Sequence, residues 1–274
     1  MYKNDFNYYN PAAGLEDDSI KIKLGMYLKT DNQSPNAPNY KPRTYLVSYA
    51  QRLKSVKGIV SVYHLSDKYS YYYRRALAVG YAHIFPTRVG VFRTGVRGIV
   101  FSDLVNWGEF GTLSNPKKSN YVSGDLDLGA EYLIGGLQAG VGAKNVLGSV
   151  KKSGGYVIFK NRRQFFALAT YKIIWNSQSD QFGEISSSPH IMVWKEGVLK
   201  GTDVGMNFRV SRLGSIGYTY RIEDLRHILI FETAWKHPFN AGISFDGSFE
   251  NKRSFFDLPV ALLKMKCENM DKNM

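Results

Sequence analysis

The feature that most constrains this chain is an alternation of apolar and polar residues with a period of two. Between Ile20 and Leu28 every second residue is apolar, and Lys21, Lys23 and Gly25 lie between them. A strand places such residues on two opposite faces, whereas a helix would spread the lysines around its circumference. The alternation recurs in further runs, which include 126–132, 137–144, 203–210, 216–222 and 241–246. The sequence therefore predicts an all-β chain.

The length of the predicted strands favours a membrane barrel. From Ser19 to Cys267 the alternation predicts about 14 strands, most of them about 9–12 residues long. Strands of soluble proteins typically have about 5–6 residues, whereas a tilted strand that crosses a membrane needs about 9–11. We therefore predict a transmembrane antiparallel up-and-down β-barrel at residues 19–267. A periplasmic or lumenal segment at 1–18 would precede it, and a polar tail at 268–274 would follow it.

The connections between the predicted strands indicate an orientation. With a periplasmic N-terminus, the three longest connections, at 31–42, 105–124 and 148–163, all lie outside, and the other set is mostly tight. Short periplasmic turns and longer outer loops are typical of bacterial outer-membrane barrels. We expect an outer-membrane location with the N-terminus in the periplasm. Residues 1–14 do not resemble a signal peptide, so the alternatives are a cytosolic protein or a processed chain.

The formal net charge of +13 is assigned to the barrel interior. On the alternation, the polar face carries a basic set of lumenal residues: Lys21, Lys23, Arg93, Arg97, Lys144, Arg209 and Arg221. Two interpretations remain open. Acidic residues of the same face, such as Asp127 and Glu131, would pair with these cations, or the lumen would attract an anionic ligand or segment. The acidic stretch at 5–18 is a candidate occupant, because glycines on the lumenal face allow close approach.

No motif for catalysis, metal binding or cofactor binding stands out. The five histidines lack the spacing of a metal site, and the single cysteine, Cys267, excludes an internal disulfide. Gly140, Gly142 and Lys144 match neither a Walker motif nor a dinucleotide pattern, and no Gly-x-Ser-x-Gly motif is present. The basic residues are spread over the strands instead of forming one arm, which disfavours nucleic acid as a partner. We expect a non-enzymatic protein without a cofactor.

Several segments of the chain carry motifs that occur in the same order in one protein family. The opening Tyr8–Gly14 contains "YNPAAG", which is similar to an Asn-Pro-Ala-x-Ala-Gly signature. "LQAGVGAKNV" at 137–146 resembles a glycine-alternating strand, "DVGMNFRV" with "SIGYTYR" resembles a Gly-aromatic-Arg strand pair, and "AGISFD" at 241–246 resembles a further strand. In these motifs the chain resembles the PorP/SprF family of type IX secretion outer-membrane proteins of Bacteroidetes.

This resemblance implies an outer-membrane role in gliding or secretion. The expected partners are a large secreted adhesin with a type IX C-terminal domain, type IX secretion components, and outer-membrane lipid or lipopolysaccharide. The signature residues Asn10, Pro11, Ala12 and Gly14 would plug the lumen or face the periplasm. The outer loops would face the adhesin, with Trp107, Phe110, Tyr121 and Tyr156 as candidate contacts. The alternatives are a passive channel or small-ligand transporter with a basic lumen, and a soluble all-β binding protein.

Overall fold

The computed structural model describes residues 10–13, 20–28, 43–69, 72–106, 118–153, 156–179, 183–223, 225–235, 239–248 and 262–267. These residues form antiparallel strands, and among them no helix is long and apolar enough to cross a membrane. The first strands are β1 (Ile20–Leu28), β2 (Arg43–Leu53), β3 (Gly58–Tyr69), β4 (Tyr72–Pro86), β5 (Val91–Asn106), β6 (Lys118–Ile134), β7 (Leu137–Lys144), β8 (Val150–Ser153) and β9 (Tyr156–Lys160). The remaining strands are β10 (Gln164–Tyr171), β11 (Ile173–Ser179), β12 (Gly183–Glu196), β13 (Leu199–Val210), β14 (Gly214–Arg221), β15 (Arg226–Trp235), β16 (Phe239–Ser248) and β17 (Leu262–Cys267).

The strand pairings run in a ring. One sheet holds 15 strands, and β10 pairs with both β7 and β12, which joins the two sides of the sheet. The first and last strands also pair, because β17 lies between β1 and β16. Both β10 and β11 pair with β12, one after the other along its length. When β11 is not counted separately, the ring has 14 strands. The predicted all-β barrel of about 14 strands is confirmed.

The two ends of the barrel differ. At one end, tight turns join the strands, for example at 54–57, 87–90, 135–136 and 211–213. We call this the tight-turn end. The opposite end carries the longest intervals between strands of the ring, at 29–42, 107–117, 145–163 and 249–261, and we call it the long-connection end. The interval between β7 and β10 contains the separate hairpin of β8 and β9.

The wall is tallest at β4, β5 and β6, which have 15, 16 and 17 residues. Two predicted outer connections are therefore too long. The connection placed at 105–124 spans only 107–117, since Lys118–Gly124 belongs to β6. The alternation also predicts an outer connection at 66–70, and this one is reduced to residues 70 and 71, since β3 continues to Tyr69. The extra strand length has a physical reason: inward side chains such as Phe101 and Val105 are buried there, and their burial holds the extensions in place.

The two faces of the wall alternate as a barrel requires. Along β4, Ala76, Ala78 and Ala82 are buried inside, whereas Leu77 and Val79 are about half exposed on the exterior. The interior is partly apolar as well: one buried cluster contains Leu46, Tyr63, Leu65, Ala76, Ala78, Ile99 and Phe101, and another contains Ile59, Ala82 and Ile84. The described interior is thus a packed core on the side of β2 to β5.

Candidate functional site in the barrel interior

A short N-terminal segment lies inside the barrel. Asn10 and Ala12 are 4% and 0% exposed. The segment is a turn closed on itself, because the Ala13 amide donates to the Asn10 carbonyl at 3.0 Å and the Ala12 amide donates to Asn10 Oδ1 at 2.9 Å. Asn10 Nδ2 in turn donates to the Ala130 carbonyl of β6 at 3.1 Å. One asparagine side chain therefore both shapes the turn and attaches it to the wall.

The wall receives this turn on three glycines of adjacent strands, Gly95 of β5, Gly129 of β6 and Gly140 of β7. Gly95 and Gly129 are cross-strand partners, and Gly140 lies one strand further. A Cβ at Gly95 would overlap the Pro11 carbonyl group, and a Cβ at Gly129 would overlap the Asn10 side chain. At Gly140 a Cβ would lie 2.9 Å from Asn10 Nδ2. We call these three glycines the glycine cradle.

Two layers of buried ion pairs flank the cradle. Toward the tight-turn end, Arg93 Nη1 donates to Glu131 Oε2 at 3.1 Å, and Gln138 Nε2 donates to Glu131 Oε1 at 2.6 Å. Toward the long-connection end, the Arg97 guanidinium donates twice to Asp127 Oδ2, at 3.1 and 2.6 Å. All four charged side chains of these pairs are at least 95% buried. Such charges need their partners, since an isolated buried charge is costly.

The Arg97 layer extends along the inner wall to β3 on one side and to the end of β7 on the other. The Arg97 guanidinium carbon lies 4.9 Å from the centroid of the Tyr63 ring, a cation–π geometry. The buried Lys144 is at the end of β7, and the following Asn145 amide donates to Asp127 Oδ1 at 2.9 Å. Asp127 thus fixes both the arginine and the point at which the chain leaves β7.

The chain after β7 returns into the interior. Asp125 of β6 accepts hydrogen bonds from the Leu147 amide at 3.0 Å and from Asn161 Nδ2 at 3.3 Å, so it binds both ends of the interval at 145–163. Asn161 is 2% exposed, and its Oδ1 accepts a 3.0 Å hydrogen bond from Arg74 Nη2. Arg74 also pairs with Asp103 at 2.8 Å. We call residues 145–163 the returning segment.

A separate group lies on the wall formed by β12 to β14. Arg221 Nε donates to Asp203 Oδ1 at 2.9 Å, and its guanidinium carbon is 5.3 Å from the centroid of a Trp194 ring. Further toward the tight-turn end, His190 Nε2 is 3.1 Å from Thr219 Oγ1. The described residues contain no group of three or more His, Cys, Asp or Glu side chains arranged to hold a metal ion.

The structure brings together some of the residues that the sequence predicts for the site. Arg93 and Arg97 are buried on either side of the glycine cradle that receives Asn10, Pro11 and Ala12, and Lys144 is buried at the end of β7. Arg221 lies in its own group, and Arg209 is exposed. Lys21 and Lys23 belong to β1, which pairs with β2 and β17, but their side chains lie outside the described part of the chain. Gly14, Trp107 and Phe110 lie outside it altogether. Tyr121 lies in β6 opposite Asp103, not in a loop, and Tyr156 begins β9.

Sequence reasoning missed several residues of the interior. Asp103, Asp125, Asn161 and Gly95 carry no motif of their own. Asp103 and Asp125 could have been found by following the alternation of β5 and β6 up to the two ends of the predicted connection at 105–124. Asn161 could not, because it reaches the interior only through the path of the returning segment.

The comparisons with known proteins match this architecture. A family model described as "Type IX secretion system membrane protein PorP/SprF" matches residues 1–258. The chain belongs to the PorP/SprF family. The predicted resemblance is thereby confirmed, and this PorP/SprF chain is an outer-membrane β-barrel protein of the type IX secretion system. No curated protein matches the chain at a significant level.

Solved outer-membrane barrels share the fold. Omp33 of Acinetobacter baumannii is 10% identical with a TM-score of 0.51, and the alignment covers 92% of this chain and 98% of that chain. A TodX deletion mutant, described as a monoaromatic hydrocarbon channel, is also 10% identical with a TM-score of 0.58. That alignment covers 97% of this PorP/SprF chain and 94% of the other. At such identities the similarity concerns the fold alone.

Proposed function

We propose that this barrel is a non-enzymatic anchor or export partner for a large secreted adhesin, which it engages through the adhesin's type IX C-terminal domain. Family membership supports a role in type IX secretion. The observation that carries the choice of an anchor is the filled interior: a buried N-terminal turn on the glycine cradle, buried ion pairs beside it, and a returning segment bound at Asp125. A passive channel would need a continuous aqueous path instead.

The proposal includes an orientation. The tight-turn end would face the periplasm, together with the N-terminal segment at 1–18, because short turns are typical of that side in outer-membrane barrels. The long-connection end would face outward, with Trp107, Phe110, Tyr121 and Tyr156 near the adhesin. Type IX secretion components and outer-membrane lipid or lipopolysaccharide would be the other partners. In this orientation Asn10 to Gly14 close the lumen from the periplasmic side.

A pull-down from native outer membranes tests the anchor. The tagged protein, solubilised in mild detergent, should retain a large secreted protein or type IX components in near-stoichiometric yield by mass spectrometry. In a variant whose residues 107–117 are replaced by a short Gly-Ser turn, the adhesin should be lost. A matched control carries a Gly-Ser insertion between residues 70 and 71, at the same end of the barrel, and should retain it. A wild-type barrel that purifies without any partner would contradict the proposal.

The second candidate is a passive channel or small-ligand transporter with a basic lumen. The specific observation in its favour is the similarity in fold to TodX, a protein described as a hydrocarbon channel. A channel predicts steady conductance of the wild-type protein in planar bilayers, whereas an anchor with a closed lumen predicts none. Conductance therefore separates the two candidates.

A further inference from the structure

Four exposed cations lie together at the long-connection end: Arg162, Arg163, Lys195 and Lys200. We call them the basic patch. Lys195 of β12 and Lys200 of β13 are direct cross-strand partners, and both lie on the exterior face because their neighbours in the alternation, Trp194 and Gly201, face inward. Like charges directly opposite each other on a sheet are destabilising unless an anion compensates them.

Arg162 adjoins this lysine pair. Its side chain packs near the turn between β12 and β13, since a Cβ at Gly197 would lie 3.8 Å from Arg162 Cδ. Arg163 precedes β10, whose Phe165 is the cross-strand partner of Lys195, and its side chain lies against the returning segment, since a Cβ at Gly148 would lie 3.3 Å from Arg163 Nε. Within the described part of the chain, none of the four side chains forms an ion pair. The exposed carboxylate of Glu223 reaches the same end, where it accepts a hydrogen bond from the Thr202 amide.

An apolar groove begins directly beside the patch on the exterior of the barrel. Its volume is about 460 Å³, and it crosses β5, β6, β7, β10 and β12. The register orders its lining in rows: Ala130, Val141, Ala167 and Val193 form one row, and Tyr132, Ala139, Ala169 and Ile191 form the next. The adjoining row toward the long-connection end contains Phe165, Lys195 and Lys200. The groove is a depression because the side chains of its alanines project less far from the wall than the larger side chains around them.

We propose that the basic patch and the groove form one binding site for a phosphorylated, multi-acyl glycolipid of the outer leaflet. Lys195, Lys200, Arg162 and Arg163 would bind the phosphates by charge-assisted hydrogen bonds, and an acyl chain would fill the groove. The patch spans three neighbouring strands, about 10 Å at the usual interstrand spacing, which fits a headgroup with two phosphates better than one with a single phosphate. Cations beside apolar surface at a membrane interface favour such a ligand.

This inference rests on the orientation in the proposed function, which places the patch in the outer leaflet. Binding is measured with the purified full-length protein in detergent, without any secretion partner. A failure of the adhesin pull-down therefore leaves this measurement untouched. Cell-surface labelling of a cysteine introduced at Val198, in a Cys267→Ser background, tests the orientation separately.

The experiment titrates the protein with synthetic bisphosphoryl lipid A and counts bound lipid by native mass spectrometry. The double variant Lys195→Gln/Lys200→Gln should bind about 30-fold more weakly, from about fivefold for each cation near an anionic lipid surface. A matched control removes two exposed cations at the tight-turn end, Lys57→Asn/Arg88→Gln, and should bind within about twofold of wild type. Asn is chosen at position 57 because Lys57 has a φ of 47° and Asn tolerates that region.

A second pair of variants tests the groove. Ala139→Leu/Ala167→Leu fills the groove and keeps every cation, so affinity for the multi-acyl lipid should fall while heat-modifiable migration shows an intact barrel. The proposed site would be wrong if wild type and Lys195→Gln/Lys200→Gln bound bisphosphoryl lipid A with equal affinity. It would also be wrong if wild type bound a dephosphorylated lipid as tightly. If wild type bound dioleoylphosphatidylglycerol as tightly, the site would be a phospholipid site, and the proposed glycolipid ligand would be wrong.

Discussion

Gly129 is a residue whose lack of a side chain has a definite structural role. A Cβ there would overlap the Asn10 side chain, whose amide is bonded to the neighbouring Ala130 carbonyl. We expect Gly129→Val to displace the N-terminal turn from the cradle. In a Cys267→Ser background, labelling of Ala12→Cys by a soluble maleimide should become about tenfold faster or more, because labelling follows the opened population.

Gly98 provides the matched control for this prediction. It lies on β5, it pairs with Leu126 of β6, and a Cβ there would meet nothing within 4 Å. Gly98→Val should leave labelling of Ala12→Cys slow. Equal labelling rates in the Gly129 and Gly98 variants would show that the cradle does not hold the turn.

Asp127 is a carboxylate of the described interior whose charge is compensated by a buried arginine. It is fully buried and accepts hydrogen bonds from Arg97 and from the Asn145 amide. Asp127→Asn removes the carboxylate that pairs with the buried Arg97 charge, and breaking a buried ion pair typically costs about 3–5 kcal/mol. Urea unfolding of the protein in lipid vesicles, followed by tryptophan fluorescence, should show a free energy of unfolding lower by about that amount.

An exposed ion pair gives the comparison. Lys172 and Glu184 are 2.8 Å apart, and their side chains are 42% and 32% exposed. Glu184→Gln should lower the free energy of unfolding by less than about 1 kcal/mol, as is usual for exposed pairs. If Asp127→Asn and Glu184→Gln lowered the free energy of unfolding by the same small amount, the buried pair would not stabilise the barrel as argued.

At the level of single elements, β12 shows how a local sequence rule and the structure differ. Pro189 predicts a bulge or a shortened strand, yet β12 runs from Gly183 to Glu196 and pairs with β13 without a register shift. The irregularity lies in the neighbour instead. On the side of β12 that faces away from β13, its partner changes from β11 to β10 at Lys172. The hydrogen-bond ladder is interrupted at this change, and Pro189, which has no N–H to donate, lies there.

The alternation predicted the strands because one face is exposed to an apolar medium throughout. It did not predict the packed interior between β2 and β5, where both faces are apolar, as in the run of Ala76, Leu77, Ala78 and Val79. By the same rule the sequence assigns Arg93 and Arg97 to the inward face, and both side chains are buried in ion pairs. Which carboxylate each cation meets depends on the register between strands, which periodicity alone does not fix.

One carboxylate, Asp125, binds both ends of the returning segment, and this gives a prediction at the scale of the element. Asp125 binds Leu147 and Asn161, so Asp125→Ala removes hydrogen bonds from both ends of the segment at once. Each is worth about 0.5–1.5 kcal/mol. Trypsin cleavage at Lys151 and Lys152 in proteoliposomes should become about tenfold faster or more, because proteolysis tracks the open population.

Ser123 serves as the control for that experiment. It lies two residues away on the same inward face of β6, and its buried hydroxyl has no hydrogen-bond partner in the described part of the chain. Ser123→Ala should leave the cleavage rate unchanged. Rapid cleavage of the wild-type protein at the same two lysines would mean that Asp125 does not restrain the segment.

Considered as a whole, the molecule holds two segments inside the barrel at different depths, and under the proposed function each is an obstruction of the lumen. The N-terminal turn lies at the level of Gly95 and Gly129, and the returning segment is held at the level of Asp125. The Arg97 and Asp127 layer lies between them. Each is attached to β6 by hydrogen bonds of its own, the turn at Ala130 and the returning segment at Asp125.

Because the two obstructions lie in series, their removal should not be additive. In planar bilayers we expect no steady conductance from the wild-type protein and little from Gly129→Val or Asp125→Ala alone, since the remaining obstruction dominates the resistance. The double variant should conduct clearly more than the sum of the two single variants, and Gly98→Val/Ser123→Ala should behave as wild type. Steady conductance of the wild-type barrel, or single variants that conduct as well as the double, would contradict this arrangement and favour the channel.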